Sequence, residues 1–588
     1  MNIFLSPAAV AATVTSLLLI ALDVFIMLPY TLWAKRPLPR WTRFLPALAF
    51  VMMVAQIAAN MAFNFAFVIM SVPIYLATLV IVFSAIVAGS VWVVRRALKR
   101  SRPESLPRLS LPKVALSVVC AALLLLGGVR LAQTYAYAGS IASRIALLEG
   151  APGGADFSDR SWSQAFAGLT ETLKAKYPFT AWKRIDWDAR YAEFAPRIAD
   201  AEARHDTKAY YRALREFAWR IPDGHVGIEG DDQSLAVAEV GGSYGLTLLR
   251  LDDGRLVVSS LIADGPAAQA GIQIGAEIVA WNGATSERAL ARTPIIWSEY
   301  PPATTEGRLL QQVRFLSRGP VGAQAEVAFR NRGAAAQVAR LTASAAELDQ
   351  HGDMGPSGLV SSPVESQLLP SGYGYIRVND EIPHLAGFPD DQMRQAVARF
   401  AAQGVPGVIV DVRDNLGGES KLTAAMLAPF LTEERLYQYL GLLDPATQQF
   451  RPATNAPLMI EPAQPQYHGR VVVLIDQYSH SAAEDIALFL KDLPNGTVVG
   501  MSGTVGAGGT SETDVQLPGG YTFAFPKAQS LDANFTIQIE SDDTGNGGVV
   551  PDIRVPRDDA AVDALGAGRD IVLERAEAAL RAQTAGTR

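Results

Sequence analysis

Two kinds of hydrophobic pattern divide the chain near residue 135. Before that point the apolar residues form long runs, each sufficient to cross a bilayer, which needs about 20 apolar residues. The pattern predicts a membrane region over 1–135 with four transmembrane helices, at about 8–33, 44–66, 72–94 and 114–132. After residue 135 apolar positions recur at the spacings of amphipathic helices and of strands, which is typical of globular domains.

The lysines and arginines of the short loops predict how these helices are oriented. Segments 34–43 and 95–113 are basic, whereas the N-terminus and the middle hairpin carry no lysine or arginine. By the positive-inside rule the two basic loops face the cytoplasm. The sequence therefore predicts an integral protein of the bacterial inner membrane, with a periplasmic or extracellular C-terminal half. Asp23 lies inside the first span, where a carboxylate is a functional hypothesis by default.

The C-terminal half divides into four further segments by pattern. Residues 150–230 are helical and end in PDGHVGI, and 235–345 hold short strands with glycine turns. Residues 365–556 alternate strands and helices, an α/β pattern, and 557–588 predict a closing helix. The predicted fold class is multi-domain: a four-helix transmembrane region, a small helical segment, a β domain and an α/β core.

Charge and cysteine content exclude several classes of function. The net charge is −7 and no large basic tract occurs outside the membrane flanks, so nothing indicates a nucleic-acid partner. The single cysteine, Cys120, permits neither an internal disulfide nor a thiolate metal cluster. Neither a HExxH motif nor a phosphate loop occurs. We therefore expect no metal and no cofactor.

The stretch DQYSHSAAEDIALFLKDL (476–493) raises the question of chemistry. It follows the buried-strand pattern VVVLI (471–475) and opens an amphipathic helix with a hydroxyl-rich turn. Ser481 is either a helix N-cap, for which serine is favoured, or a nucleophile held at the positive end of the helix dipole.

The β segment resembles a bacterial PDZ domain through VGGSYGLTLL (240–249) and DGPAAQAGIQIGAEIVAWNG (264–283). The resemblance implies that a glycine loop captures a peptide C-terminus while the peptide adds to a sheet edge. The implied peptide-binding residues are Gly242, Ser243, Tyr244, Gly245 and Leu246. The family usually has Gly-Asp where this chain has Gly275-Ala276-Glu277. The alternative is a module that only packs against the core.

Four motifs of the α/β core occur in the order found in the C-terminal processing (tail-specific) serine proteases. They are VIVDVRDNLGG, SHSAAED, VVGMSGTVGAGG and GGVVPDI. With the PDZ-like segment they resemble the tricorn-like branch, which is related to interphotoreceptor retinoid-binding protein. The resemblance covers about 157–556 and implies a ClpP/crotonase-like serine protease core.

In this resemblance Ser481, not Ser479, takes the nucleophile position. The N–H of Ala482 and one from the Gly417–Gly418 turn are expected to form the oxyanion hole. Many family members use a lysine base where this chain has Ala507, so a Ser–Lys dyad at that position is excluded. The tricorn-like branch uses a histidine instead, and PDGHVGI matches its segment, which makes His225 the expected base.

The acid that orients the histidine stays open. Glu540 is the best match to the family position, and the alternatives are Asp542, Asp543 and Glu484. Two other residues are alternatives for the base. His480 adjoins the serine, but neighbouring turn residues usually point apart, and Lys527 has no argument in its favour.

Three functions compete. The first is a membrane-anchored serine endopeptidase that cleaves extended or C-terminally recognised polypeptides outside the cytoplasmic membrane, with polypeptide and lipid bilayer as partners. The second is a catalytically inactive peptide- or ligand-binding protein on the same fold, suggested by the missing lysine. The third makes the spans primary, as a sensor or transporter, but no broken-helix pattern supports it. Oligomerisation is left open.

Overall fold

A computed structural model describes residues 154–230, 233–346, 362–382, 384 and 387–585. Residues Gly153–Arg588 form one compact unit. The four predicted transmembrane spans lie between 8 and 132, outside the described residues.

The predicted fold class and membrane location need correction. No helix in the described ranges is both long enough and apolar enough to cross a bilayer. Trp187–Ala203, for example, has 17 residues and carries several charged side chains. The four-helix transmembrane region and the inner-membrane location are therefore unsupported. The described chain is a mixed α/β protein with four sheets.

The first region is a small helical bundle built on aromatic side chains. Phe217 packs edge-on against both Phe166 and Phe194. Each helix follows a serine or aspartate whose side chain accepts an N–H three residues on, which satisfies a donor that the first turn leaves free. The elements are α1 Trp162–Lys176, α2 Trp187–Ala203, α3 Thr207–Ala218 and β1 Gly227–Glu229.

The middle region is mainly antiparallel. Its larger sheet has the order β3-β4-β5-β8-β9, with β6 on β5, and a small sheet has the order β10-β2-β7. The elements are α4 Gln233–Val240, β2 Gly242–Ser243, β3 Leu246–Arg250, β4 Leu256–Leu261, α5 Pro266–Gln269, β5 Glu277–Trp281, β6 Ala284–Thr285, α6 Ser286–Arg292, α7 Thr305–Leu316, β7 Arg318–Gly319, β8 Gln324–Arg330, β9 Gln337–Thr342 and β10 Ser344–Ala345.

The last region alternates strands and helices. Its elements are β11 Val364–Leu368, β12 Gly374–Val378, α8 Pro389–Ala402, β13 Gly407–Asp411, α9 Ser420–Leu427, β14 Arg435–Asp444, β15 Gln449–Pro452, β16 Leu458–Ile460, β17 Arg470–Ile475, α10 Ala482–Lys491, β18 Gly496–Gly500, β19 Gly509–Leu517, β20 Tyr521–Leu531, β21 Ile553–Arg554, α11 Asp559–Gly566 and α12 Ile571–Ala585. The predicted closing helix is thus two helices, with Gly568 at φ +74° between them.

The parallel sheet of this region places the loops that matter for chemistry. Its order is β11-β12-β13-β17-β18-β21, and all pairs except β11–β12 are parallel. β13 is buried throughout, as expected for a strand covered on both faces. Because β13 and β17 are neighbours, the loops after their carboxyl ends lie side by side, where open α/β sheets bind ligands.

A second sheet joins the first region to the last. Its order is β1-β20-β14-β15, with β19 on β20 and β16 on β14. Gly227–Glu229 pairs antiparallel with Thr522–Ala524, and Phe523 and Phe525 complete the aromatic core of the helical bundle. This pairing fixes the PDGH turn, just before β1, against the α/β core.

Candidate active site

Ser481 lies in the turn between β17 and α10 with a strained backbone. Its φ is 56° and its ψ is −122°, a conformation that costs a non-glycine residue about 1–3 kcal/mol. Such a strained strand-to-helix turn exposes the serine of a nucleophile elbow. Ser481 heads α10 and also presents Oγ 3.0 Å from His225 Nε2. It is therefore both the N-cap residue and the hydrogen-bond partner of His225.

Ser479, two residues earlier, is occupied by structural contacts. It is fully buried, and its hydroxyl donates to the carbonyl of Val412 at 2.8 Å. The same oxygen accepts the N–H of Asp476 at 3.1 Å. Ser479 thus ties the turn after β17 to the end of β13 and does not face the histidine.

His225 is held where it can accept the serine proton. Its backbone N–H donates to Asp223 Oδ1 at 2.8 Å, and its side chain is only 8% exposed. Burial lowers the pKa of His225 to about 4, so the imidazole is neutral at neutral pH. For Nε2 to accept from the Ser481 hydroxyl, Nδ1 must carry the hydrogen.

His480 packs beside the pair without taking part in it. Its ring lies 4.6 Å from the His225 ring and stacks on Tyr300 at 5.1 Å. Nδ1 lies 3.1 Å from the carbonyl of Leu416, an acceptor, so Nδ1 carries the hydrogen. Burial, with a contribution from His225, lowers the pKa of His480 to about 3. His480 therefore contacts the His225 side chain through ring packing.

The predicted oxyanion residues lie together beside the serine. Gly417 has φ +92°, and a Cβ placed there would lie 2.8 Å from Ser481 Cβ and 2.9 Å from the nitrogen of Ala482. The Gly417 N–H already donates to Asn415 Oδ1 at 2.7 Å. The N–H groups of Gly418 and Ala482 have no acceptor among the described residues. They are the candidate donors, and Gly417 keeps the space before them open.

Replacing Gly417 by alanine is expected to lower kcat/KM by about 10²- to 10³-fold, the cost of losing one oxyanion donor. The new methyl group would fill the space at the Ala482 N–H and strain the turn. The measurement is steady-state hydrolysis of a fluorogenic peptide. Gly404→Ala is the control, because Gly404 also has positive φ but open space around its Cβ position. Equal activity of the two variants would refute this role for Gly417.

Comparison with known proteins indicates the class of enzyme. Residues 372–555 match the model of peptidase family S41, and residues 158–209 match the tricorn protease C1 domain. The first match contains Ser481 and the Gly417–Gly418 turn. The protein is a serine peptidase.

Solved structures resemble the peptidase at low sequence identity. Mature CPAF complexed with lactacystin is 15% identical, with 71% of this chain and 98% of that chain covered and a TM-score of 0.51, which shows a shared fold. The photosystem II D1 C-terminal processing protease is 19% identical over 69% and 97%, with a TM-score of 0.34. A putative peptidase from Parabacteroides merdae is 18% identical over 71% and 96%, with a TM-score of 0.41. The last two scores are too low to support a further conclusion.

Glu484 of the peptidase anchors the nucleophile turn. Its Oε2 accepts the N–H groups of Ser481 and Ala507, at 3.1 and 3.0 Å. Its Oε1 accepts the hydroxyl of Thr504 and the N–H of Gly506. Burial raises the pKa of Glu484 to about 8, and the four donors oppose that rise. Glu484 thus fastens the 504–507 loop to the start of α10 and does not contact His225.

Glu540 is buried near the histidine turn, with a lysine as its partner. Lys183 Nζ lies 2.7 Å from Oε1, and both side chains are fully buried. Oε2 accepts the N–H groups of Gly508 and Gly509. Burial raises the pKa of Glu540, whereas Lys183 opposes the rise. No carboxylate oxygen of Glu540 is within ion-pair distance of His225 in the described structure.

The other two acids considered from the sequence lie at the surface. Asp542 Oδ1 accepts backbone and side-chain donors of its own turn, including the N–H of Thr544 and of Asn546. Asp543 pairs with the exposed Arg184. Their contacts are those of a surface turn.

Ala507, at the position where the sequence resemblance would have placed a lysine base, lies directly against the histidine turn. It is fully buried, and a Cβ placed on Gly224 would lie 3.0 Å from its methyl group. Ala507 and the His225 turn are therefore adjacent in space.

The predicted peptide-binding loop of the middle region is closed on itself. Tyr244 N–H donates to the carbonyl of Ser317, and Gly245 N–H donates to Ser243 Oγ at 3.1 Å. Gly242 and Ser243 pair with β7 and β10, while Leu246 begins β3. Two of the N–H groups proposed to cradle a carboxylate are thus already used.

Three residues at the site escaped the sequence reasoning. Asp223 lies two residues before His225, where the letters PDGH indicate only a turn. Lys183 has the sequence context of a surface lysine, yet it is buried. Asn415 of the glycine motif accepts from Gly417 and donates to Glu381. The two-residue spacing of Asp223 from the histidine was the one available signal.

Proposed function

We propose that the protein is an endopeptidase that hydrolyses extended polypeptides, with Ser481 as nucleophile and His225 as general base. The observation that carries this proposal is the 3.0 Å separation of Ser481 Oγ and His225 Nε2 in a strained turn at the start of a helix. The separation is within hydrogen-bond reach, as nucleophile and base require.

The geometry supports an acyl-enzyme route. Ser481 Oγ attacks the scissile carbonyl while its proton passes to His225 Nε2. The resulting oxyanion lies before the N–H groups of Gly418 and Ala482, which are free to stabilise it. His225 then gives the proton to the leaving amine, and the peptide bond breaks. Water, deprotonated by the same nitrogen, hydrolyses the acyl-serine and regenerates the hydroxyl.

We further propose that the middle region binds substrate as an added strand along β3. β3 pairs with β4 on one side only within the described sheets, and α7 packs beside it. An extended peptide gains main-chain hydrogen bonds at such an edge. Because the loop over 242–246 uses two of its N–H groups internally, recognition through β3 depends less on a free C-terminal carboxylate than the sequence suggested.

The test is the rate of labelling by a fluorophosphonate probe between pH 4 and 8, with the adduct located by mass spectrometry. We expect an adduct on Ser481 and none on Ser479. The rate should fall only as the pH drops toward about 4, because burial lowers the pKa of His225 to that value and a protonated imidazole cannot accept the serine proton.

Two outcomes would count against the proposal. A midpoint near 6.5 would mean that the base is a solvated histidine or another group. A folded protein that stays unlabelled, even with peptide added to open a blocked site, would favour the inactive binding protein suggested by the missing lysine.

A further inference from the structure

A cluster of buried polar side chains lies behind the histidine turn. Lys183 Nζ contacts Glu540 Oε1 at 2.7 Å, the carbonyl of Pro222 at 2.8 Å and Ser541 Oγ at 2.7 Å. Asp223, also fully buried, belongs to the same turn as Pro222. Three segments distant in sequence, around residues 183, 222–223 and 540–541, therefore meet next to His225.

Asp223 is the carboxylate that faces the far side of the histidine ring. Its Oδ1 lies 3.9 Å from His225 Nδ1 and accepts the backbone N–H of His225 at 2.8 Å. Its Oδ2 accepts the hydroxyl of Tyr177 at 2.6 Å. Nδ1 itself is buried and has no hydrogen-bond partner among the described residues. Catalytic hydrogen bonds are often long before substrate binds. A small movement of the His225 ring would bring Nδ1 within hydrogen-bond distance of Asp223 Oδ1.

The two buried acids, Glu540 and Asp223, differ in the charged groups beside them. Glu540 has Lys183 at ion-pair distance, and the two charges match. Asp223 has no arginine or lysine at that distance in the described structure, and His225 is its one ion-pair neighbour. The carboxylate of Asp223 accepts one hydroxyl and one N–H, and its negative charge is balanced when the imidazole of His225 becomes protonated. That protonation occurs in the proposed reaction step.

We propose that Asp223, held by Tyr177, is the positioning acid of His225: it keeps the hydrogen on Nδ1 and stabilises the imidazolium formed during the reaction. Glu540 and Lys183 instead tie the 222–225 turn to the 540–541 segment. This inference rests on the proposed function, since it assigns the acid of the same site.

Other titratable groups also face the histidine turn. His480 lies against the His225 ring, and Ser481 faces Nε2. Burial and the charges of Asp514, Glu229 and Asp223 raise the pKa of Glu512 to about 7, so Glu512 also senses Asp223. The effect of substituting Asp223 is therefore measured from the NMR signals of the His225 ring nitrogens, not from a pH profile of activity alone.

The experiment uses the full chain labelled with ¹⁵N-histidine, whose six histidines give few signals, with His225 assigned by its loss in His225→Gln. At pH 7 we expect the wild type to show hydrogen on Nδ1 and a bare Nε2. Asp223→Asn keeps an acceptor for the backbone N–H of His225 but removes the negative charge beside Nδ1, so hydrogen should shift toward Nε2. The substitution should also slow fluorophosphonate labelling by about 10²- to 10⁴-fold, as a wrong tautomer does in serine proteases.

Further variants keep the outcome decisive. Tyr177→Phe retains Asp223 but removes its hydroxyl donor, so a smaller change in the same direction is expected even if Asp223→Asn folds poorly. Wild-type His225 nitrogen shifts in a folded Asp223→Asn would overturn the proposal, and so would a tautomer change in Glu540→Gln alone. Failure of the proposed function would show itself as a Ser481 that is never labelled. The nitrogen shifts of His225 do not depend on catalysis, so they test this inference even in that case.

Discussion

Replacing Ser481 by alanine is expected to reduce kcat by about 10⁶-fold, the cost of losing the nucleophile from a serine protease site. The reason is geometric, because only this hydroxyl of the turn faces a neutral histidine, at 3.0 Å. The measurement is peptide hydrolysis together with probe labelling. Residual activity within 10²-fold of the wild type would place the nucleophile elsewhere.

Ser481→Gly sharpens this prediction, because it should be inactive yet more stable. Glycine adopts positive φ without the steric cost that serine pays at φ 56°, although it loses some stability through chain entropy. The net gain expected is about 1 kcal/mol in the free energy of unfolding. Ser479→Ala should behave in the opposite way, with the labelled serine kept and about 1–3 kcal/mol lost through a buried hydrogen-bonding group. A Ser481→Gly variant no more stable than the wild type would show that the turn stores no strain.

The second large effect is expected for Glu484→Gln, a change of one atom that should destabilise the peptidase by about 2–4 kcal/mol. Above its raised pKa of about 8, Glu484 is a carboxylate that accepts four donors. A carboxamide has one oxygen. In Glu484→Gln the side-chain NH₂ group would therefore face two groups that are themselves hydrogen-bond donors. The 504–507 loop and the start of α10 should loosen together, and labelling of Ser481 should slow.

Urea unfolding of Glu484→Gln and Glu433→Gln side by side at pH 9, above the raised pKa of Glu484, measures this effect. Glu433 is exposed in the loop before β14, so its replacement should leave the unfolding midpoint unchanged. Equal midpoints for the two variants would mean that the buried carboxylate is not required.

The parts of this site that the sequence predicted are those with a local signal. The small residues before IALFLK indicated the start of α10, and the glycines of VRDNLGG indicated a backbone turn, because such positions need special angles or close approach. The histidine before β1 could be identified only through its resemblance to a known segment, since no local rule places it next to a serine 256 residues away.

The rest depended on burial, which local pattern does not report. In the sequence Lys183 resembles any lysine that flanks a helix. In the structure it is buried against Ser541 and Glu540. The sequence offered Glu484 as a candidate for orienting the site, but three of its four donors come from the 504–507 loop, at least 20 residues on. The four-helix transmembrane region followed from residues before 135 and finds no support among the described helices.

The strand pairing between Gly227–Glu229 and Thr522–Ala524 has a consequence for biosynthesis. The helical bundle that carries the base lacks Phe523 and Phe525 of its core until translation has passed those residues. Until then, the nascent chain lacks the strand that pairs with β1, so the turn that carries His225 is not held against the part of the fold that carries Ser481. Closing so long a loop is also slow. Proteolytic activity is thus expected to begin only after translation has passed residue 525.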